Sequence, residues 1–197
     1  MGEHLDNNPD YPNNPSPADI KLLSGVSVLI QNMNTLNLST TKGDGSVSIF
    51  NEKMEAILSI GADITLMSDI RAKESSFRII EDYIRCTSKG NFKIIINSDT
   101  AKRGVAIMYK ASLDIIIENI FKSECNNVVL TNILLNSLPV TLGAIYGPKD
   151  SDDEFFFTNL RTKLSTFSNG RFIVGSDMNS IISYNQLSLT YLGQHNS

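Results

Sequence analysis

Apolar residues along this chain fall into short runs divided by polar and glycine-containing breaks, and their spacing changes from one part to the next. GVSVLIQN (25–32) predicts a buried strand. The polar stretch 35–46, with Gly43-Asp44-Gly45, predicts a loop. Phe50, Met54, Ile57 and Leu58 then recur on one helical face, and Gly61 stands where a C-terminal cap belongs. DITLM (63–67) is a second short apolar strand. Strand, helix and strand in this order predict a parallel pair with the helix on one sheet face.

The middle of the chain is denser in strands. FKIIIN (92–97), GVAIMY (104–109), LDIIIENIF (113–121), VVLTNILL (128–135) and VTLGAIY (140–146) are heavy in Ile, Val and Leu, with Gly, Lys, Ser and Asn between them. Consecutive strands without helices predict antiparallel hairpins. SDDEFFFTNLRTKL (151–164) then predicts a helix: Ser151 and Glu154 form a capping box, acids crowd the first turn, and Phe156, Phe157, Leu160 and Leu164 make the apolar stripe. A last apolar strand, 171–174, stops at Gly175. Beyond Ile182 the pattern is polar and irregular. At the other end, residues 1–20 are rich in Asn, Pro and Asp and predict a flexible leader, with one domain over 21–197.

Composition narrows the function. The chain has 197 residues, 41% of them hydrophobic, which suits one domain rather than two. A net charge of -4 is not the strongly basic balance of a non-specific nucleic-acid binder, although it leaves room for a local basic groove. Cys86 and Cys125 lack metal-type spacing and predict reduced thiols in an intracellular protein. His4 and His195 lie near the termini, which argues against a histidine-rich zinc site. No apolar run approaches the ~18 residues of a membrane helix, and the first residues lack the apolar core of a signal peptide.

Three strands finish alike: Asn32-Met33-Asn34, Ser68-Asp69-Ile70-Arg71 and Gly175-Ser176-Asp177-Met178-Asn179. If these strands are neighbours in one sheet and run the same way, their ends meet at one edge, where α/β sheets collect ligands. That edge would gather Asn32, Asn34, Asp69, Asp177 and Asn179, an all-oxygen set with two carboxylates that suits Mg²⁺. A fourth end, Ile145-Tyr146-Gly147-Pro148-Lys149, adds a phenol and an ammonium as donors to phosphate. Taken singly, each cluster is also what an ordinary turn contains.

The ordered series QNMNTL, ADITLMSDIR, RGVAIMY, AIYGP and IVGSDMN resembles the endonuclease/exonuclease/phosphatase superfamily, and within it the apurinic-type endonuclease domain of non-LTR (LINE-type) retrotransposons, over residues 25–183. The resemblance implies a DNase I-like four-layer α/β/β/α sandwich of two mostly antiparallel sheets. It implies an enzyme, a Mg²⁺-dependent DNA endonuclease with Mn²⁺ as a possible substitute. By the same likeness Asn32 and Asp69 hold the metal, and Asp177 orients or deprotonates the attacking water. Asn179 and Tyr146 hold the phosphate with Asn32, and Asn34, Arg71 and Lys149 fall on the substrate side. Asp69 stands where such proteins carry glutamate, one methylene longer. The C-terminal Ser-Asp-His of these nucleases has no match, since His195 lacks the preceding acid, so the domain is expected to be incomplete with an exposed sheet edge. The implied partners are DNA and a reverse transcriptase in the same polyprotein, primed by the 3′-hydroxyl of the nick, in an intracellular setting that is nuclear when the protein acts on DNA. Two alternatives stay open: a catalytically impaired remnant that binds DNA or a partner, and a phosphatase on a small phosphoester.

Overall fold

Alternating strand residues divide the apolar side chains between three cores. In the computed structural model, residues 25–36, 49–99, 103–148 and 153–179 are described. The predicted leader, most of the 35–46 loop, Lys149, Ser151 of the capping box and His195 lie outside them. The elements run β1 (Val28–Asn32), α1 (Ile49–Ile60), β2 (Ile64–Ser68), a 3₁₀ turn (Glu74–Ser76), α2 (Phe77–Thr87), β3 (Phe92–Asn97), β4 (Val105–Lys110), β5 (Ile115–Lys122), β6 (Val128–Leu135), β7 (Leu138–Tyr146), α3 (Asp153–Phe167) and β8 (Arg171–Asp177).

One sheet has the order β1-β2-β4-β3 and the other β5-β6-β7-β8. β1 and β2 are parallel, and β3–β4 and β2–β4 are antiparallel. In the second sheet β5–β6 and β6–β7 are antiparallel, while β8 returns parallel to β7 after α3. Ile64 and Leu66 of β2, Val105 and Ile107 of β4, and Val129, Ile133, Val140 and Leu142 of the other sheet fill the space between the sheets. The residues between them face outward. Met67, Ala106 and Met108 meet Phe50, Met54 and Ile57 of α1 and Ile80 and Ile84 of α2. On the far side Leu130 and Ile145 meet Leu160 of α3. Period-two alternation against helix stripes therefore yields a four-layer α/β/β/α sandwich, with both faces of each central strand buried.

The parallel β1–β2 pair, the helix over it and the antiparallel hairpins agree with the pattern of the chain. Gly61, with φ of +66°, ends α1 in the left-handed conformation expected of a cap. Three features differ. Helix α2 was not predicted, although Phe77, Ile80 and Ile84 share a face, because six charged residues in 78–85 and 73–74 mask the stripe. β8 does not stop at Gly175 but pairs through Asp177, opposite Tyr146. And β8 is not a sheet neighbour of β1 and β2; it reaches them across the sandwich. Among the described residues no helix is long and apolar enough to cross a membrane.

Candidate active site

What brings β8 to β1 is a missing side chain. A Cβ on Gly175 would lie 2.8 Å from Leu66 Cβ and 2.9 Å from Ile30 Cγ1, so only glycine lets β8 approach this closely. Two residues further along each strand, on the same face, the sequence turns polar. There Asn32 Nδ2 donates to Asp177 Oδ2 at 2.5 Å. The contact joins residues 145 positions apart and links the two sheets at their common edge. Both side chains are fixed from their own loops as well: Asn34 N donates to Asn32 Oδ1 at 2.9 Å and Asn179 N to Asp177 Oδ1 at 3.2 Å.

A second close approach supports the same edge. Gly147 N donates to Asp177 O at 2.7 Å, Asn179 Nδ2 donates to Gly147 O at 3.0 Å, and a Cβ on Gly147 would collide with Met178 O. Tyr146, the last residue of β7, is buried directly beside Asp177. Asn179 reaches back to the chain after β7 instead of pointing alone into solvent.

Asp69 follows β2, and its side chain is 5% exposed. Arg71 Nε donates to its Oδ1 and Arg71 Nη2 to its Oδ2, both at 2.7 Å. The guanidinium is held charged first by that hydrogen bond to Asp69, with Tyr146 contributing further. Asp69 sits at φ +55°, Arg71 at +46°, Asn34 at +41°, Thr35 at +81° and Asn179 at +49°. Non-glycine residues in this region cost roughly 1–3 kcal/mol each unless the surroundings hold them. Here the loops after β1 and β2 hold each other: Met33 N, Thr35 N and Leu36 N donate to Ser68 O, Asp69 O and Ile70 O, and Ile70 N to Gly104 O.

Lys53 belongs to the same edge, although the motifs at the strand ends do not point to it. Its Nζ donates to the carbonyls of Met33, Asn34 and Thr35 at 2.6, 2.9 and 3.0 Å, which caps the loop after β1. Burial lowers the pKa of its ammonium, Asp69 opposes that, and Arg71 adds to it, so the two cations and the acid lie within electrostatic range. The signal was a lysine on an apolar helix face, three residues after Phe50 and four before Ile57. Lys149 lies outside the described residues, and Arg103 is exposed.

Of the expected residues, then, Asn32, Asp177, Asn179 and Tyr146 converge on one edge with Asp69 and Arg71, and Asn34 acts there through its backbone. For a divalent cation the donors divide. Asp177 and Asn32 supply oxygens at the half-exposed rim, a set that fits Mg²⁺ completed by waters and phosphate. Asp69 offers less, since a fixed positive charge occupies both its oxygens. Among the described residues no three His, Cys, Asp or Glu side chains are grouped to hold a metal ion.

Solved structures of the same architecture exist. An endonuclease/exonuclease/phosphatase from Bacteroides vulgatus is 9% identical with a TM-score of 0.55, over 79% of this chain and 66% of its own. An AP endonuclease from Archaeoglobus fulgidus is 14% identical with a TM-score of 0.53, over 78% and 57%. The endonuclease domain of TRAS1, a telomere-specific non-LTR retrotransposon, is 18% identical over 79% and 59%, and at a TM-score of 0.49 it adds nothing to the argument. This chain therefore has the endonuclease/exonuclease/phosphatase fold. It spans between 57% and 66% of the length of these structures. No family model matches the sequence, and no curated protein matches it significantly.

Proposed function

We propose that the chain is the nucleolytic part of a metal-dependent DNA endonuclease of the non-LTR retrotransposon type, which nicks target DNA to leave a 3′-hydroxyl for reverse transcription. The observation that carries the chemistry is the Asn32–Asp177 contact across the sandwich, beside Tyr146 and the Asp69–Arg71 pair. The retrotransposon assignment rests on the order and spacing of the sequence motifs. A reverse transcriptase partner and a nuclear site of action belong to the same proposal.

Asp177 is fixed by two donors, Asn32 Nδ2 and Asn179 N, one on each carboxylate oxygen. Each oxygen keeps further accepting capacity, so the carboxylate can orient a water and take its proton as it attacks phosphorus. In this reading Tyr146 and Arg71 would donate hydrogen bonds to the phosphate oxygens, and these would strengthen as charge develops. Lys53 and Arg71 offset the charges of Asp69 and Asp177 at the edge, so a phosphate would meet paired charge there and not a bare acidic cluster. A divalent cation held by Asp177 and Asn32 would neutralise charge on the phosphate and on the leaving oxygen.

Conversion of supercoiled plasmid to open circle in Mg²⁺ tests the proposal, and extension of the nick by a polymerase shows whether a 3′-hydroxyl is left. Asp177→Ala should lower the nicking rate about 10³-fold. Nicking that survives this change would reject the site. Salt-sensitive DNA binding without any nicking would replace the enzyme with a binding module of the same fold.

A further inference from the structure

The loop after β2 contains a charge pair that a metal-ligand role for Asp69 does not explain. Asp69 is almost wholly buried, and Arg71 engages both of its oxygens in a fork from only two residues away. That short span is possible because both residues adopt left-handed backbone, an arrangement held by hydrogen bonds from Thr35 N, Leu36 N and to Gly104 O. A carboxylate in this state faces a permanent guanidinium, and a second cation on it would meet like charge.

The outer side of the guanidinium is differently placed. Its side chain is 32% exposed, so it reaches the open edge of the sandwich. A guanidinium has five N–H donors, and two are spent on Asp69. Tyr146 is a further hydrogen-bond partner of the guanidinium, and the N–H groups left over match phosphate geometry, for which Arg is suited by its planar fork. Tyr146 lies next to the same group, and Asp177 follows it across the β7–β8 pairing.

We infer that Asp69 is a positioning residue that fixes Arg71 as a metal-independent clamp for a backbone phosphate of a nucleic-acid strand. This deepens the proposed function by giving the phosphate-binding side of the site a protein cation, with any divalent ion on the Asp177 side. It rests on that reading for the identity of the ligand, and its test needs no turnover.

Fluorescence anisotropy of the whole chain with a fluorescein-labelled single-stranded oligonucleotide, in EDTA, provides the first arm. Binding should persist without metal. Arg71→Lys, which keeps the charge but loses the fork, should weaken it about tenfold. Asp69→Asn, which keeps size and tolerance of left-handed backbone, should weaken it several-fold. The double variant should be no worse than Arg71→Lys alone, because the acid acts only through the arginine. Paramagnetic resonance of Mn²⁺ provides the second arm: Asp69→Asn should leave Mn²⁺ affinity unchanged and Asp177→Asn should lower it tenfold or more. Far-ultraviolet circular dichroism confirms folding of each variant. Absence of binding in EDTA, wild-type binding by Arg71→Lys, or loss of Mn²⁺ affinity in Asp69→Asn would each overturn the clamp, whether or not the chain nicks DNA.

Discussion

Strand β2 carries an acid at each end, and the two are paired in different ways. At its start, Asp63 Oδ1 accepts from Lys110 Nζ at 2.9 Å, and Oδ2 accepts from Ser27 N and Ser27 Oγ at 2.8 and 2.7 Å. Its partners are 47 and 36 residues away, so these bonds tie the beginnings of β1 and β2 to the end of β4. At its finish, both carboxylate oxygens of Asp69 accept from Arg71, only two residues away in the same loop, on strained backbone. The first pair resists loss of the fold; the second sets the direction of one side chain. The same chemistry thus gives a staple where the partners are distant in sequence and a positioned group where they are adjacent.

The most damaging way to disturb this comparison lies between the two acids. Gly175 packs on Leu66, midway along β2, and on Ile30. Gly175→Val should cost about 3 kcal/mol by overpacking and lift Asp177 away from Asn32. Hydrogen exchange should then quicken at Asn34 N, whose acceptor is Asn32 Oδ1, and change little at Ile64 N, which pairs with Ser27. Equal loosening at both ends would mean that the seat of β8 does not govern the site.

Removing one partner at a time gives a smaller effect. Arg71→Ala leaves a nearly buried carboxylate unpaired and should cost about 2 kcal/mol in urea unfolding. Lys110→Ala should cost about 1 kcal/mol or less, because Asp63 is 18% exposed and retains its Ser27 bonds. Removing both partners should reverse the order. Asp69→Asn with Arg71→Ala should fall within about 0.5 kcal/mol of wild type, since no unpaired charge stays buried. Asp63→Asn with Lys110→Ala should still lose the staple, about 1 kcal/mol. An Asp69 double variant as unstable as the Arg71 single variant would make that pair structural after all.

The same contrast explains what could be read from the chain. Runs such as FKIIIN and VVLTNILL are apolar on both faces because helices cover one side of each sheet and the other sheet covers the second, so strands announce themselves. Gly61 announced the end of α1 because a left-handed cap is a local matter. The charges of ESSFRIIEDYIR hid α2, whose core contacts come from Phe77, Ile80, Tyr83 and Ile84 set between charged residues. Sheet membership of β8 had no local signal at all. Gly175 looked like a strand end, whereas its actual role, close approach to Leu66, depends on a residue 109 positions earlier in the numbering of the sequence. Asn32, Asp69, Tyr146, Asp177 and Asn179 could be named because strand ends in α/β folds collect polar side chains. That Arg71 fills both oxygens of Asp69 could not, since the pairing requires two residues of left-handed backbone that neither side chain demands.

Protonation offers the mildest perturbation, and it acts on Asp63. Hydrogen bonds from Lys110, and then from Ser27 backbone and hydroxyl, lower its carboxyl pKa from the ordinary 3.8 to about 2. The folded pKa lies below the unfolded one, so the folded state holds the proton less tightly. The stabilisation is therefore fully present above pH 4 and is lost as pH falls from about 4 towards 2. Solvent screening of this partly exposed group keeps the contribution near 1 kcal/mol. Asp63→Asn should accordingly be about 1 kcal/mol less stable than wild type at pH 7, with the difference narrowing steadily below pH 4. A pair of unfolding curves at pH 7 and pH 3 suffices to see it. A gap that stays constant between those values would show that the bonds to Ser27 and Lys110 do not depend on the charge of Asp63.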